Sequence, residues 1–106
     1  MPESILASHI LLMYRGSARS TASRTKERAA EQIAQLKKEL DEGADFEELA
    51  RKHSDCPSSS RGGDLGLFAP GQMVPAFDHA AFSLEVDELS DIVETEFGYH
   101  LILRMG

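Results

Sequence analysis

The strongest constraint on the fold is a pair of β-rich runs, one near each end of the chain, that each carry a histidine. Residues 5–14 are apolar and β-rich enough to form a central strand, and they contain His9. Residues 99–105 form the last β run, which contains His100. A chain of 106 residues has room for a single hydrophobic core. We therefore expect one domain, residues 1–106, that holds both histidines.

The segments between these runs predict helices and two further strands. Apolar side chains recur at helical spacing from about residue 25, and Gly43 is placed to end that helix. Asp45 and Glu48 resemble an N-cap with its capping-box partner and predict a shorter helix through His53. The order predicts an α+β domain, a four-stranded and mostly antiparallel sheet with about four surrounding helices. The other expected elements are a turn-rich link at 57–63 with one tight helical turn, strands at 64–68 and 89–93, and a helix at 75–82.

Composition and motif content narrow the classes of function. The formal net charge of −7 disfavours general nucleic-acid binding, which needs a basic surface. No window approaches the roughly 20 apolar residues of a transmembrane helix, and the N-terminus lacks the features of a signal peptide. The single cysteine and the lack of paired Cys/His spacings predict no disulfide and no metal site, and no nucleotide-binding motif indicates a cofactor. We expect no membrane partner and, by default, cytoplasmic residence, or an extracytoplasmic one if the chain is an excised domain.

Positive charge is concentrated in one loop. No acidic residue lies between positions 3 and 27, whereas Arg15, Arg19 and Arg24 all lie there. Residues 15–24 have no apolar period and are predicted to form a polar loop. Arginine side chains in such a loop could hold a phosphate or carboxylate by forked hydrogen bonds. The alternative is a solvated loop whose charges balance an acidic body.

A glycine-punctuated segment carries a separate apolar cluster. Residues 62–77, GGDLGLFAPGQMVPAF, hold a few large apolar side chains that are too small a set to be a core. With the two strand histidines and one cysteine, they suggest a site for an uncharged, ring-shaped group, with proline as the candidate. The cluster consists of Leu65, Phe68, Met73 and Phe77.

Several separated motifs resemble one known family. SHILL near the start, FEELARKHSDCPSS, GGDLGLFAPGQMVPAFDHAAFSL and the closing FGYHLIL are similar to the motifs of the parvulin-type peptidyl-prolyl cis/trans isomerases, in the same order and at the same spacings. The resemblance covers residues 4–105. It implies a parvulin-like domain that rotates X-Pro bonds in proline-containing polypeptides without a cofactor and so assists protein folding.

The resemblance also implies roles for particular side chains. His9 and His100 correspond to the paired strand histidines of the family, and Thr95 to a hydroxyl that can join their hydrogen-bond network. Without the resemblance, each histidine would more often be structural than catalytic, and the apolar cluster would more often be ordinary core. The implied proline pocket consists of Leu65, Met73 and Phe77, with Gln72 orienting the substrate backbone and Phe68 in the core beneath.

Cys56 occupies a family position that carries either cysteine or aspartate. Because these two groups react differently, the resemblance implies a polarisable or negative group facing the amide rather than an obligate nucleophile. The alternative is a thiolate hydrolase with a Cys–His pair, which lacks an evident oxyanion hole. Asp55 is expected to be a local turn or cap residue.

Two questions within the family stay open. One branch prefers phosphoserine or phosphothreonine before proline, through a basic cluster in the loop that holds the three arginines. Here the loop looks shorter and Phe97 replaces a small hydroxyl residue, so we expect a preference for an acidic or phosphorylated residue and not strict phospho-specificity. Other members act as chaperone-type binding modules, and the complete set of site residues favours the isomerase. No dominant exposed apolar patch is expected outside the pocket, which predicts a monomer.

Overall fold

A four-stranded antiparallel sheet forms the centre of the molecule. The computed structural model describes residues 4–18 and 20–106. The strands are β1 (Ile5–Leu12), β2 (Asp64–Phe68), β3 (Val93–Thr95) and β4 (Gly98–Arg104), and their order in the sheet is β2-β1-β4-β3. Every pair of neighbouring strands is antiparallel. The expected α+β class and the four-stranded sheet are confirmed, with the two histidine-bearing strands side by side at the centre.

Two helices begin after a side-chain cap, and the cap at Asp45 is the one that the sequence predicts. Helix α1 (Lys26–Asp41) begins after Thr25, whose hydroxyl accepts a hydrogen bond from the backbone N–H of Arg28. Helix α2 (Phe46–His53) begins after Asp45, whose carboxylate accepts from the N–H of Glu48 at 3.2 Å. Such caps satisfy backbone donors that the first helical turn leaves without partners.

The remaining helices are short and lie on either side of β2 in the sequence. A 3-10 helix spans Pro57–Arg61, and α3 (Pro75–Phe82) begins with a proline, which suits the first helical position because it needs no backbone donor. The described residues thus contain three α-helices and one 3-10 helix, so the expected count of about four helices is slightly too high for α-helices. None of the helices in these residues is long and apolar enough to cross a membrane.

The two faces of the sheet are covered by different helices. Side chains alternate across a strand, so neighbours in β1 and β4 point to opposite faces. On one face, Ile10, Leu12 and Leu101 pack with buried residues of α1 and α2. On the other, Ala7 and Ile102 pack with Phe68 of β2 and with Phe77 and Ala81 of α3. His9 and His100 lie on this second face, beside α3.

The sequence analysis misplaced one strand and one strand end. Strand β1 ends at Leu12, two residues before the expected end, where the chain turns into the loop at 15–24. The strand expected at 89–93 lies too early: Leu89 forms an isolated bridge with Leu103 of β4, and the regular strand is β3, which begins at Val93 and ends at Thr95. The β3–β4 turn is short, because Thr95 pairs directly with Gly98. The regular pairing of β3 with β4 therefore lies next to this turn.

Two glycines are required where another backbone passes close by. Gly63 has φ of +85°, and a Cβ atom there would lie 2.3 Å from the carbonyl oxygen of His9. Gly98 has φ of +141°, and its Cβ would lie 2.3 Å from the carbonyl oxygen of Leu12. A side chain at Gly63 would push the start of β2 away from β1, and one at Gly98 would push the start of β4 away from the end of β1.

Candidate active site

A cavity of about 380 Å³ opens beside the two histidines, on the α3 face of the sheet. It gathers side chains that lie far apart in the sequence, from β1, β2, β4, the 3-10 helix and α3. Its walls are predominantly apolar, with few polar groups among them, which is the usual character of a site for a small or ring-shaped group. The lining residues that the sequence analysis proposed for the site are His9, Cys56, Leu65, Gln72, Met73, Phe77 and His100.

The alternation of β1 explains how its side chains reach this cavity. His9, Leu11 and Met13 are two residues apart, so they project from the same face of the chain. Leu11 is directly opposite His100 in β4, and His9 is opposite Ile102. The two histidines are therefore diagonal neighbours on one face of the sheet, a position from which large side chains make contact.

A chain of hydrogen bonds joins Thr95 to both histidines. The N–H of Phe97 donates to Thr95 Oγ1 at 3.2 Å, and the same oxygen lies 2.7 Å from His100 Nε2. The Nδ1 atoms of His100 and His9 are 3.1 Å apart, so one ring donates a hydrogen bond to the other. His9 Nε2 is buried and has no hydrogen-bond partner among the described residues.

Both imidazoles are neutral at ordinary pH. Burial lowers the pKa of His9 to about 4, because the charged ring would lose its hydration. Burial, and then the charge of His9, lowers the pKa of His100 to about 3. The floor of the cavity therefore offers polar but uncharged groups, which suits a reaction whose substrate bond is also uncharged.

Phe77 joins the histidines to the core beneath them. It is 3% exposed, and its ring meets His9 and His100 edge to face, at centroid distances of 5.5 and 5.2 Å. Its other neighbour is Phe68, at 6.2 Å. Phe77 is thus both a wall of the cavity and a core residue, while Met73 and Leu65 are only partly buried around the same cluster. The expected position of Phe68 in the core is confirmed, at 3% exposed.

The polar residues at the cavity walls are held in different ways. Cys56 is a half-buried free thiol immediately before the 3-10 helix. The side-chain oxygen of Gln72 accepts a hydrogen bond from the N–H of Ala69. That bond leaves the amide nitrogen of Gln72 free to donate to a substrate carbonyl. Thr95 lies outside the lining and reaches the cavity only through His100.

The arginine loop is only partly available to a substrate. Arg24 forms an ion pair with Asp55 and also donates to the carbonyl of Met13. Arg15 is exposed and donates to the carbonyl of Ser23 at 3.2 Å. Arg19 lies outside the described residues. None of these arginines lines the cavity in the part of the chain that is described.

Sequence reasoning missed several lining residues. Leu11 and Met13 could have been found, because they follow His9 at the spacing of two that a strand imposes. Pro57 and Val74 each adjoin a residue that the sequence analysis did place in the site. Phe97 was considered only for substrate preference, and it lines the cavity from the β3–β4 turn.

A second cavity, of about 620 Å³, lies on the far side of Met73. It is bounded by the outer side of α3 and by the turn that precedes it, including Pro70, Asp78 and Phe82. It is lined by His79 but not by His9, His100 or Cys56, so we place the site in the smaller cavity, where those three residues meet.

Comparisons with known proteins show which family the chain resembles. A family model described as the PPIC-type PPIASE domain, Rotamase, matches residues 9–106. The peptidyl-prolyl cis-trans isomerase Pin1 of Digitalis lanata is 43% identical over 115 residues, which cover 98% of this chain and 98% of that protein. The solved structure of the peptidyl-prolyl isomerase ESS1 from Candida albicans has a TM-score of 0.92 at 38% identity, and covers 98% of this chain and 63% of that one. The foldase protein PrsA of Geobacillus kaustophilus is 52% identical over 69 residues, or 64% of this chain and 25% of that protein.

The chain belongs to the PpiC-type, or parvulin, family of peptidyl-prolyl cis/trans isomerases. The resemblance inferred from its motifs is confirmed. It is an enzyme that interconverts the isomers of X-Pro peptide bonds, and it acts on proline-containing polypeptides. The alternative of a non-catalytic binding module is not favoured.

Proposed function

We propose that the isomerase reaction takes place in the cavity around His9 and His100, with the proline ring held by Leu65, Met73 and Phe77. The observation that carries this proposal is the convergence of these side chains on one cavity from four separate segments of the chain: β1, β2, β4, and α3 together with the turn that leads into it. Phe77 supplies a flat wall and Met73 a deformable one, which together suit a compact aliphatic ring.

The chemistry needs no covalent step. An X-Pro bond turns slowly because twisting it breaks the amide resonance, which makes a barrier of about 20 kcal/mol. The planar amide is the more charge-separated state, so an apolar, water-excluding cavity disfavours it relative to the twisted state. A thousandfold acceleration requires only about 4 kcal/mol of such differential stabilisation.

Each polar group has a role in this proposal. The neutral His9–His100–Thr95 chain holds the cavity floor in one arrangement without placing a charge beside the rotating bond. Gln72 donates from its amide nitrogen to a carbonyl of the substrate backbone and so keeps one side of the bond fixed. Cys56 presents a polarisable sulfur to the carbonyl side of the X-Pro bond.

The role of Cys56 can be separated from nucleophilic catalysis by substitution. We expect Cys56→Ala to lower kcat about tenfold or more, because a group facing the carbonyl is lost, and Cys56→Asp to retain more activity than Cys56→Ala. Exchange NMR on a proline peptide measures both rates, and circular dichroism checks the fold. Complete loss of activity in a folded Cys56→Asp protein would instead support a thiolate nucleophile.

Peptides that differ in the residue before proline test whether the arginine loop recognises negative charge on the substrate. With peptides Ala-Xaa-Pro-Phe, we expect turnover with Glu or phosphoserine to exceed turnover with leucine by no more than about fivefold, since an exposed ion pair contributes up to about 1 kcal/mol. Arg24 is held by Asp55, so this preference rests on Arg15 and Arg19. The measurement is the cis/trans exchange rate by NMR for each peptide.

The same series tests the proposed function as a whole. No acceleration of exchange for any of the peptides, with binding retained, would contradict the isomerase site and favour a binding module. Equal rates for all three peptides would contradict the proposed preference for an acidic residue before proline but not the isomerase site.

We propose that the protein acts as a monomer, since few large apolar side chains in the described residues are exposed. Sedimentation at increasing concentration tests this.

A further inference from the structure

An ion pair lies next to the cavity and is not part of its lining. A guanidinium nitrogen of Arg24 contacts Asp55 Oδ2 and donates to the carbonyl of Met13 at 2.9 Å. The same carboxylate oxygen accepts from the N–H of Met13 at 2.9 Å. The side chains of Arg24 and Asp55 are 27% and 28% exposed. Both backbone polar groups of Met13, a lining residue, are therefore held by this pair.

Asp55 also belongs to the segment that carries the thiol. Its N–H donates to the carbonyl of Leu11 at 2.7 Å, and the hydroxyl of Ser54 accepts from the N–H of Leu11 at 3.0 Å. The same hydroxyl accepts from the N–H of Cys56 at 3.4 Å. Residues 54–56 are thus bonded to the end of β1, and Cys56 reaches the cavity from that attachment.

Arg24 closes the base of the arginine loop as well. Its carbonyl accepts from the N–H of Arg15 at 2.8 Å, which joins the two ends of the loop. Partway along, the N–H of Ala18 donates to the carbonyl of Glu96 at 2.8 Å, next to Phe97. The loop is therefore attached to the Met13 wall of the cavity through Arg24 and to the Phe97 wall through Ala18.

We propose that Arg24 and Asp55 are a positioning pair for the isomerase site, which fixes Met13, Cys56 and the base of the loop relative to one another. This inference rests on the proposed location of the reaction. Arg24 acts here on the protein itself, not on the substrate. Loss of either charge weakens one of the attachments that hold the Cys56 segment and the base of the loop to Met13, while the proline pocket, built from β2 and α3, keeps its shape.

Two variants that each remove one charge, and a third that keeps it, test the pair. We expect Arg24→Met and Asp55→Asn each to lower kcat about tenfold with KM nearly unchanged, because small misplacements of a site reduce rate more than binding. The double variant should be no worse than the worse single variant, since both changes break one unit. Arg24→Lys, which keeps the positive charge, should recover most of the rate. The control is Arg28→Met, which removes an exposed i,i+3 pair with Glu31 and should change nothing.

A second readout follows the position of the thiol directly. We expect the labelling of Cys56 by a disulfide reagent to accelerate about threefold or more in Arg24→Met and Asp55→Asn but not in Arg28→Met, as the attachment of its segment loosens. Wild-type kcat and labelling rates in both variants would overturn the proposal and leave an ordinary surface ion pair. An effect of Arg24→Met without one of Asp55→Asn would also overturn it. The labelling arm does not depend on isomerase activity, so its result is distinct from a failure of the proposed site.

Discussion

Replacing Phe77 by alanine is expected to remove measurable isomerase activity and to lower the free energy of unfolding by about 3–5 kcal/mol. The side chain is 3% exposed and contacts both imidazole rings and Phe68, so its loss opens a hole that reaches from the core to the active cavity. The histidines would lose the wall that holds their orientation. Urea unfolding followed by circular dichroism and exchange NMR on a proline peptide measure the two effects.

Substitutions at two residues near Phe77 separate its effect on stability from its effect on the active site. Phe82 lies in the same helix and packs edge to face on Phe68 at 5.7 Å, but it does not line the proline cavity. Phe82→Ala should therefore destabilise the protein and keep turnover in the folded fraction. Met73→Ala should do the reverse, since Met73 lines the proline cavity and its removal leaves a smaller void than that of a phenylalanine. If Phe77→Ala does not fold, Phe77→Leu keeps most of the buried volume, and normal turnover in that folded variant would contradict the role of the aromatic wall.

Phe77 also illustrates what a sequence can and cannot say about a site. The motif match indicated a proline-pocket residue, and residue type alone indicated a core residue. The structure gives it both positions, because α3 packs its buried side against the same sheet face that carries the histidines. The local sequence pattern therefore could not decide whether Phe77 is a pocket residue or a core residue, because it is both.

Most elements followed from local signals, whereas the contacts that complete the site did not. Thr25 and Asp45 mark their helix starts within the sequence itself, and β2 and α3 lie at their expected positions. The Arg24–Asp55 pair joins residues 31 positions apart, and it depends on where the loop returns to β1. The placement of β3 likewise depends on its register with β4. The register between distant strands is fixed by packing of the whole domain, and the secondary-structure propensities of individual residues contain no information about it.

Lowering the pH from 7 to 5 is expected to reduce the free energy of unfolding by about 4 kcal/mol through the two buried histidines. In the unfolded chain, histidine takes up a proton near pH 6.5. In the folded protein the pKa of His9 is about 4 and that of His100 about 3. The unfolded state therefore binds more protons throughout this window, so stability is full above about pH 6.5 and falls with decreasing pH. Turnover per folded molecule should stay flat over the same range, because both rings remain neutral.

The number of titrating groups can be read from the slope of stability against pH. Each buried histidine should contribute about 1.4 kcal/mol per pH unit below 6.5, so urea unfolding should give about twice that slope for the wild type and about half of the wild-type slope for His9→Leu. His79 is exposed on α3, and His79→Ala is the matched control for replacing a histidine outside the site. A wild-type slope near zero between pH 5 and 6 would mean that the histidines charge normally in the folded state. The hydrogen-bond chain from Thr95 to His9 could then not be the neutral floor on which the isomerase site depends.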